Sequence, residues 1–126
     1  MGGRGSSSGF VARLPNYQRA EILHSKIKNY LLNPNKSNGK HELFKGLGYT
    51  MKNSARLEQD IRNGLKDNKA RQFTPNAYGH TLYNVTMPLG IGEKAAVLTV
   101  WQVDKGSNKP RFITAYKDHR GGKNND

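Results

Sequence analysis

The chain has 126 residues, a length that fits one domain, and carries 21 Lys and Arg against 9 Asp and Glu, a net charge of +12. A surface this basic attracts polyanions, nucleic acid first among them. The absence of cysteine excludes disulfides, thiolate zinc sites and a Cys nucleophile, and no apolar run approaches the ~18 residues of a membrane helix.

Residues 1–13 are rich in Gly and Ser and read as a flexible linker or tail, with no apolar stretch of the signal-peptide kind. Residues 14–118 read as the folded unit and 119–126 as a polar C-terminal tail. Leu14-Pro15-Asn16-Tyr17 is an extended or turn entry, and residues 21–23 read as a short strand. Ser25 is placed to cap a helix over residues 26–32, with Ile27, Tyr30 and Leu31 at helical spacing, and Asn33-Pro34-Asn35 stops it. A second helix starts near Asn38-Gly39 and ends about Leu47. A third covers residues 54–66, with Leu57, Ile61 and Leu65 as its apolar stripe. The period then changes to two, and strands are predicted over residues 71–73, 80–87, 95–103 and 111–117. Short turns between consecutive strands favour antiparallel pairing. The expected fold class is α+β, with N-terminal helices packed on a three- or four-stranded antiparallel sheet.

Strict alternation along the last strand puts Phe112, Thr114 and Tyr116 on one face, an apolar ring beside a hydroxyl and a phenol. On the second helix, Lys40 lies three, four and seven residues before Leu43, Phe44 and Leu47, in the middle of the inward face. Such a lysine either snorkels to water or is held where it binds an anion, and periodicity does not separate the two. His41 falls on the flank. The four histidines have no metal-ligand spacing, the acids form no paired or two-metal cluster, and neither a Ser triad nor a phosphate-binding Gly-Lys loop is present.

No acid occurs between Glu21 and Glu42, where Lys26, Lys28, Lys36 and Lys40 stand, or between Asp67 and Glu93, where Lys69, Arg71 and His80 stand. The interleaved Phe73, Tyr78, Trp101 and Tyr116 are candidates to stack bases, while Tyr83 reads as core. RNA carries its own nucleophile, the 2′-hydroxyl. Cleaving it needs a base, an acid and a cation, and His, Tyr, Lys, Arg and Thr can supply them without a metal or any other cofactor.

Leu14-Pro15-Asn16, Lys26 to Pro34, Gly39-Lys40-His41 with Phe44 to Tyr49, Val97 to Trp101, and Ile113-Thr114-Ala115-Tyr116 resemble a small domain of phage-encoded and bacterial polymorphic-toxin proteins. That domain is similar to the barnase/EndoU/colicin/RelE-like ribonuclease group. The resemblance covers about residues 14–118 and implies helices followed by an antiparallel sheet, with metal-independent RNA cleavage across the sheet face. The matching positions are Lys40, Thr114 and Tyr116, with Thr99 and Trp101 on the neighbouring strand. The chain lacks an acidic base of the barnase kind, which leaves His41 and Tyr116 as candidates.

The sequence is therefore read as a small endoribonuclease, a toxin or phage effector. Lys40 would stabilise the phosphorane and His41 or Tyr116 would move protons. Thr114 and Arg71 would hold phosphate. Lys26, His80, Thr99 and Trp101 would contact RNA, with Trp101 stacking a base. RNA, tRNA included, is the expected partner. An immunity or antitoxin protein is a second partner, no membrane is involved, and the cytoplasm of a target cell is the expected site of action. The alternatives are a non-catalytic nucleic-acid-binding phage protein and an inhibitor that captures an acidic protein.

Overall fold

A computed structural model describes residues 8–36 and 39–118. The expected tail over residues 119–126, and the first seven residues of the expected linker, lie outside the described residues.

Five antiparallel strands form one sheet in simple sequence order: β1 (Ser8–Val11), β2 (Ala70–Phe73), β3 (Thr81–Leu89), β4 (Ala95–Val103) and β5 (Pro110–Lys117). The fold is α+β, and the sheet is wider than the three or four strands expected. The added strand comes from the segment read as linker, where residues 8–11 pair with Phe73 to Ala70 along the free edge of β2. Ser8 and Gly9 have little intrinsic strand preference, whereas Phe10 and Val11 favour strands. Pairing to an available edge decides the segment's conformation, as tertiary context commonly does for strands.

Helix α1 (Lys40–Gly46) and helix α2 (Ser54–Asp67) lie close to their expected bounds. The first predicted helix is instead a π-helical turn over Lys26–Leu31, closed by the Leu32 amide on the Ile27 carbonyl at 3.1 Å, and Ser25 makes no side-chain cap. The short strand expected at residues 21–23 reduces to a single parallel bridge. The Glu21 amide donates to Pro110 O at 2.8 Å, and the Phe112 amide donates to Glu21 O at 2.9 Å. That bridge covers part of the outer edge of β5, which would otherwise be open to another chain.

The core lies between α2 and one face of the sheet. Leu57, Ile61 and Leu65 of α2 are fully buried, as are Val85, Met87, Val97, Trp101 and Ala115 of the sheet. Helix and sheet approach so closely that a Cβ on Gly64 would lie 2.4 Å from the Met87 sulfur. Tyr49 fastens the far end of this layer. Its buried hydroxyl donates to Asp60 Oδ2 at 2.6 Å and accepts from the Gly90 amide at 3.0 Å. Burial, reinforced by the hydrogen bond to Asp60, pushes its pKa up to about 12.

Candidate functional site

The last strand does not alternate through its whole length. Trp101 pairs with Phe112, but its neighbour Val100 pairs with Thr114, so Ile113 is an extra residue in β5. This β-bulge resets the phase of the strand. Phe112 turns into the core and meets Trp101 edge-on with ring centroids 5.3 Å apart. Ala115, opposite Thr99, is also in the core. Thr114 and Tyr116 share the other face, opposite Val100 and Leu98. The expectation that Phe112 belongs with Thr114 and Tyr116 is corrected by that one residue. The Ile113 carbonyl at the bulge accepts from Lys26 Nζ at 2.8 Å.

At this edge β5 meets α1 and the π-helical turn. Lys40, the first residue of α1, is half-buried and leans over the cleft between them. Its ammonium lies 5.9 Å from the ring centroid of Tyr116 and 5.9 Å from that of Tyr30, within cation–π reach of both. The cleft measures about 620 Å³. Lys40, Lys26, Tyr30, Tyr116, Thr114 and Ile113 line it, with Ser25 and Asn29 at the rim, and no carboxylate is among these residues. The Thr114 hydroxyl is buried and has no hydrogen-bond partner. A buried, unpaired hydroxyl costs about 1–3 kcal/mol, so most such groups are satisfied.

Four of the expected site residues thus come together: Lys26, Lys40, Thr114 and Tyr116. The other five lie elsewhere. His41 does not line the cleft, and its Nε2 stands 3.1 Å from Glu42 Oε2 on the same helix. Thr99 and Trp101 are fully buried on the covered face. The Thr99 hydroxyl donates to Val85 O at 2.7 Å and accepts from Trp101 Nε1 at 2.8 Å, so Trp101 is a core ring and cannot stack a base. His80 sits at the end of the sheet, where its Nδ1 accepts from the Lys105 amide at 2.9 Å. There it faces Asp104, whose carboxyl is held below the usual range by hydrogen bonds from Arg111 and then Gln102. Arg71 is on β2, three strands from Thr114, over the Phe73 ring at 5.3 Å. No group of three or more His, Asp or Glu side chains among the described residues is placed to hold a metal ion. None of their helices is long and apolar enough to cross a membrane.

The family described as a domain of unknown function, DUF6883, matches residues 13–119. The chain belongs to the DUF6883 family. No curated protein and no solved structure matches it. The DUF6883 span takes in the whole cleft at β5, the covered core and four of the five strands, and leaves β1 outside.

Tyr30 is the aromatic cleft residue that sequence reading did not single out. It stands at helical spacing with Ile27 and Leu31, which are fully buried, and so reads as a core position. The wider π-helical turn leaves it half-buried and facing Lys40 instead. Its phenol tip, able to donate and accept, is the only signal that separated it from its apolar neighbours.

Proposed function

We propose that this DUF6883 domain is a metal-independent endoribonuclease, a toxin or phage effector whose active site is the cleft at β5. The observation that carries the reading is the position of Lys40, whose ammonium lies within cation–π reach of both the Tyr30 and Tyr116 rings, in a cleft lined by a second lysine and, among the described residues, by no acid.

In the proposed reaction the RNA 2′-oxygen attacks the adjacent phosphorus and the bond from phosphorus to the 5′-oxygen breaks. One of the two tyrosines, as its phenolate beside Lys40, accepts the proton of the 2′-hydroxyl, and the neutral phenol of the other gives its proton to the departing 5′-oxygen. Lys40 neutralises the charge that develops on the phosphorane. The unpaired Thr114 hydroxyl donates to a non-bridging phosphate oxygen, which satisfies it. Lys26 is occupied by the Ile113 carbonyl and braces the cleft wall while adding positive charge. The products are a 2′,3′-cyclic phosphate and a 5′-hydroxyl. The same proposal expects that expression in the cytoplasm of a target cell arrests growth and that a neighbouring immunity protein relieves the arrest.

Incubation with tRNA and total RNA in excess EDTA, resolved on a gel, tests it. Cleavage is expected, with Lys40→Ala lowering the rate about 10²–10³-fold and Tyr116→Phe about 10²-fold. Intact RNA, or undiminished cleavage by both variants, overturns the reading. Salt-sensitive binding without cleavage would favour a non-catalytic nucleic-acid binder.

A further inference from the structure

One row of side chains crosses the uncovered face of the sheet from edge to edge. Phe10 pairs with Arg71, Arg71 with Asn84, Asn84 with Val100, and Val100 with Thr114. Directly paired residues project to the same side, so these five share the face opposite α2. The row ends in the β5 cleft at Thr114. Its other end, Phe10 with Arg71 and Asn84, lies in a second cavity of about 520 Å³ that also holds Lys69, Thr86 and Asp118. In that row Val100 stands between the two cavities, so both open on the same face of the sheet.

The second cavity combines an exposed aromatic ring with two cationic side chains. Phe10 is 69% exposed, although it is a large apolar ring at a sheet edge. Phe73, two residues beyond Arg71, falls on the same face, and the Arg71 guanidinium lies over its ring at 5.3 Å. An aromatic–arginine–aromatic group with Lys69 beside it offers stacking planes and positive charge together. Among the described residues the acid lining this cavity is Asp118, which is buried and accepts a hydrogen bond from the Thr86 hydroxyl.

We infer that Phe10, Phe73 and Arg71 form a second nucleotide-binding site on the sheet face, and that the substrate is single-stranded RNA laid across the strands from this site to the β5 cleft. The inference rests on the ribonuclease reading for the chemistry at the far end, but not for the binding. Three strand spacings separate Arg71 from Thr114, about 14 Å. At about 3.4 Å per stacked nucleotide, that spans roughly four nucleotides, and fewer when the strand is extended. A duplex keeps its bases paired and offers no free faces to Phe10 and Phe73.

The test is fluorescence anisotropy with 2′-O-methyl oligonucleotides, which present RNA-like bases and phosphates but have no attacking hydroxyl. A hexanucleotide is expected to bind at least about tenfold more tightly than a dinucleotide, and more tightly than a duplex of the same sequence. Phe10→Ala and Arg71→Ala are each expected to cut hexanucleotide affinity about tenfold and to erase most of its advantage over the dinucleotide. Equal affinity for the two lengths overturns the inference, as does a hexanucleotide preference that both variants retain, or a preference for duplex. Circular dichroism of Phe10→Ala should match the parent, since the ring is on the surface. A length preference lost in these variants, in a protein that leaves natural RNA intact, would support the binding site and sink the ribonuclease reading. Cleavage with no length preference would do the reverse.

Discussion

Thr99 and Thr114 stand on neighbouring strands, on opposite faces of one sheet, and both hydroxyls are shut away from solvent. Thr99 uses its hydroxyl twice, toward Val85 O and from the Trp101 indole. Thr114 uses its hydroxyl for nothing. The same division runs through the aromatics. Trp101 is fully buried against Phe112, whereas Tyr116 is 44% exposed beside Lys40. On the face under α2 every polar atom of this set is matched and every ring is packed. On the other face, hydroxyl, phenol and ammonium converge without neutralising one another. Residue type alone therefore says little about role in this domain. The face, and whether the polar atom already has a partner, says much more.

The sharpest way to break that comparison is to truncate one ring from each face. Trp101→Ala should cost about 3–5 kcal/mol by urea denaturation, since it empties a fully packed site. Tyr116→Ala should cost about 0.5 kcal/mol or less, as surface changes usually do. Equal costs would mean that the two faces are not divided as described. Next in size is an alkaline effect confined to the covered side. The folded-state pKa of Tyr49, about 12, is raised above its ordinary value of 10.0, so its contribution is complete below pH 10 and is lost as pH climbs toward 12. The loss is about 2–3 kcal/mol. It should appear as a gap in urea midpoint between the parent and Tyr49→Phe that closes over that interval, and a gap independent of pH would contradict it.

The two threonines give the smaller contrasts. Thr99→Val strands the Trp101 indole and should destabilise the fold by about 1–3 kcal/mol. Thr114→Val removes a hydroxyl that has no partner and should leave the melting temperature unchanged or slightly higher. If the proposed ribonuclease reaction holds, RNA cleavage by Thr114→Val falls nonetheless. A large loss of stability in that variant would show that its hydroxyl is structurally engaged after all.

Much of this arrangement is legible in the residues. The period of 3.6 through Leu57, Ile61 and Leu65 finds α2, and the long β-branched run finds β4 to the residue. What escapes reading is set by tertiary contacts. β4 is apolar on both faces, so nothing in its own sequence tells which face α2 will cover, and Thr99 and Trp101 looked as available as Thr114 and Tyr116. β1 exists because β2 has an edge to pair with. Lys40 was legible as a lysine on an inward helical face, and its company with Thr114 and Tyr116 followed from helices packing on the sheet. Tyr30 was hidden because a π-helical turn moves it away from where α-helical spacing puts it.

The bulge at Ile113 has one more consequence, for what the domain would lose by becoming more regular. Shortening β5 by that residue would leave Phe112 facing inward and Thr114 and Tyr116 facing outward, now with an unbroken ladder against β4. It would also remove the carbonyl that holds Lys26 at the cleft wall. A tidier strand would thus be gained at the expense of the cation that the interruption in the ladder holds beside it.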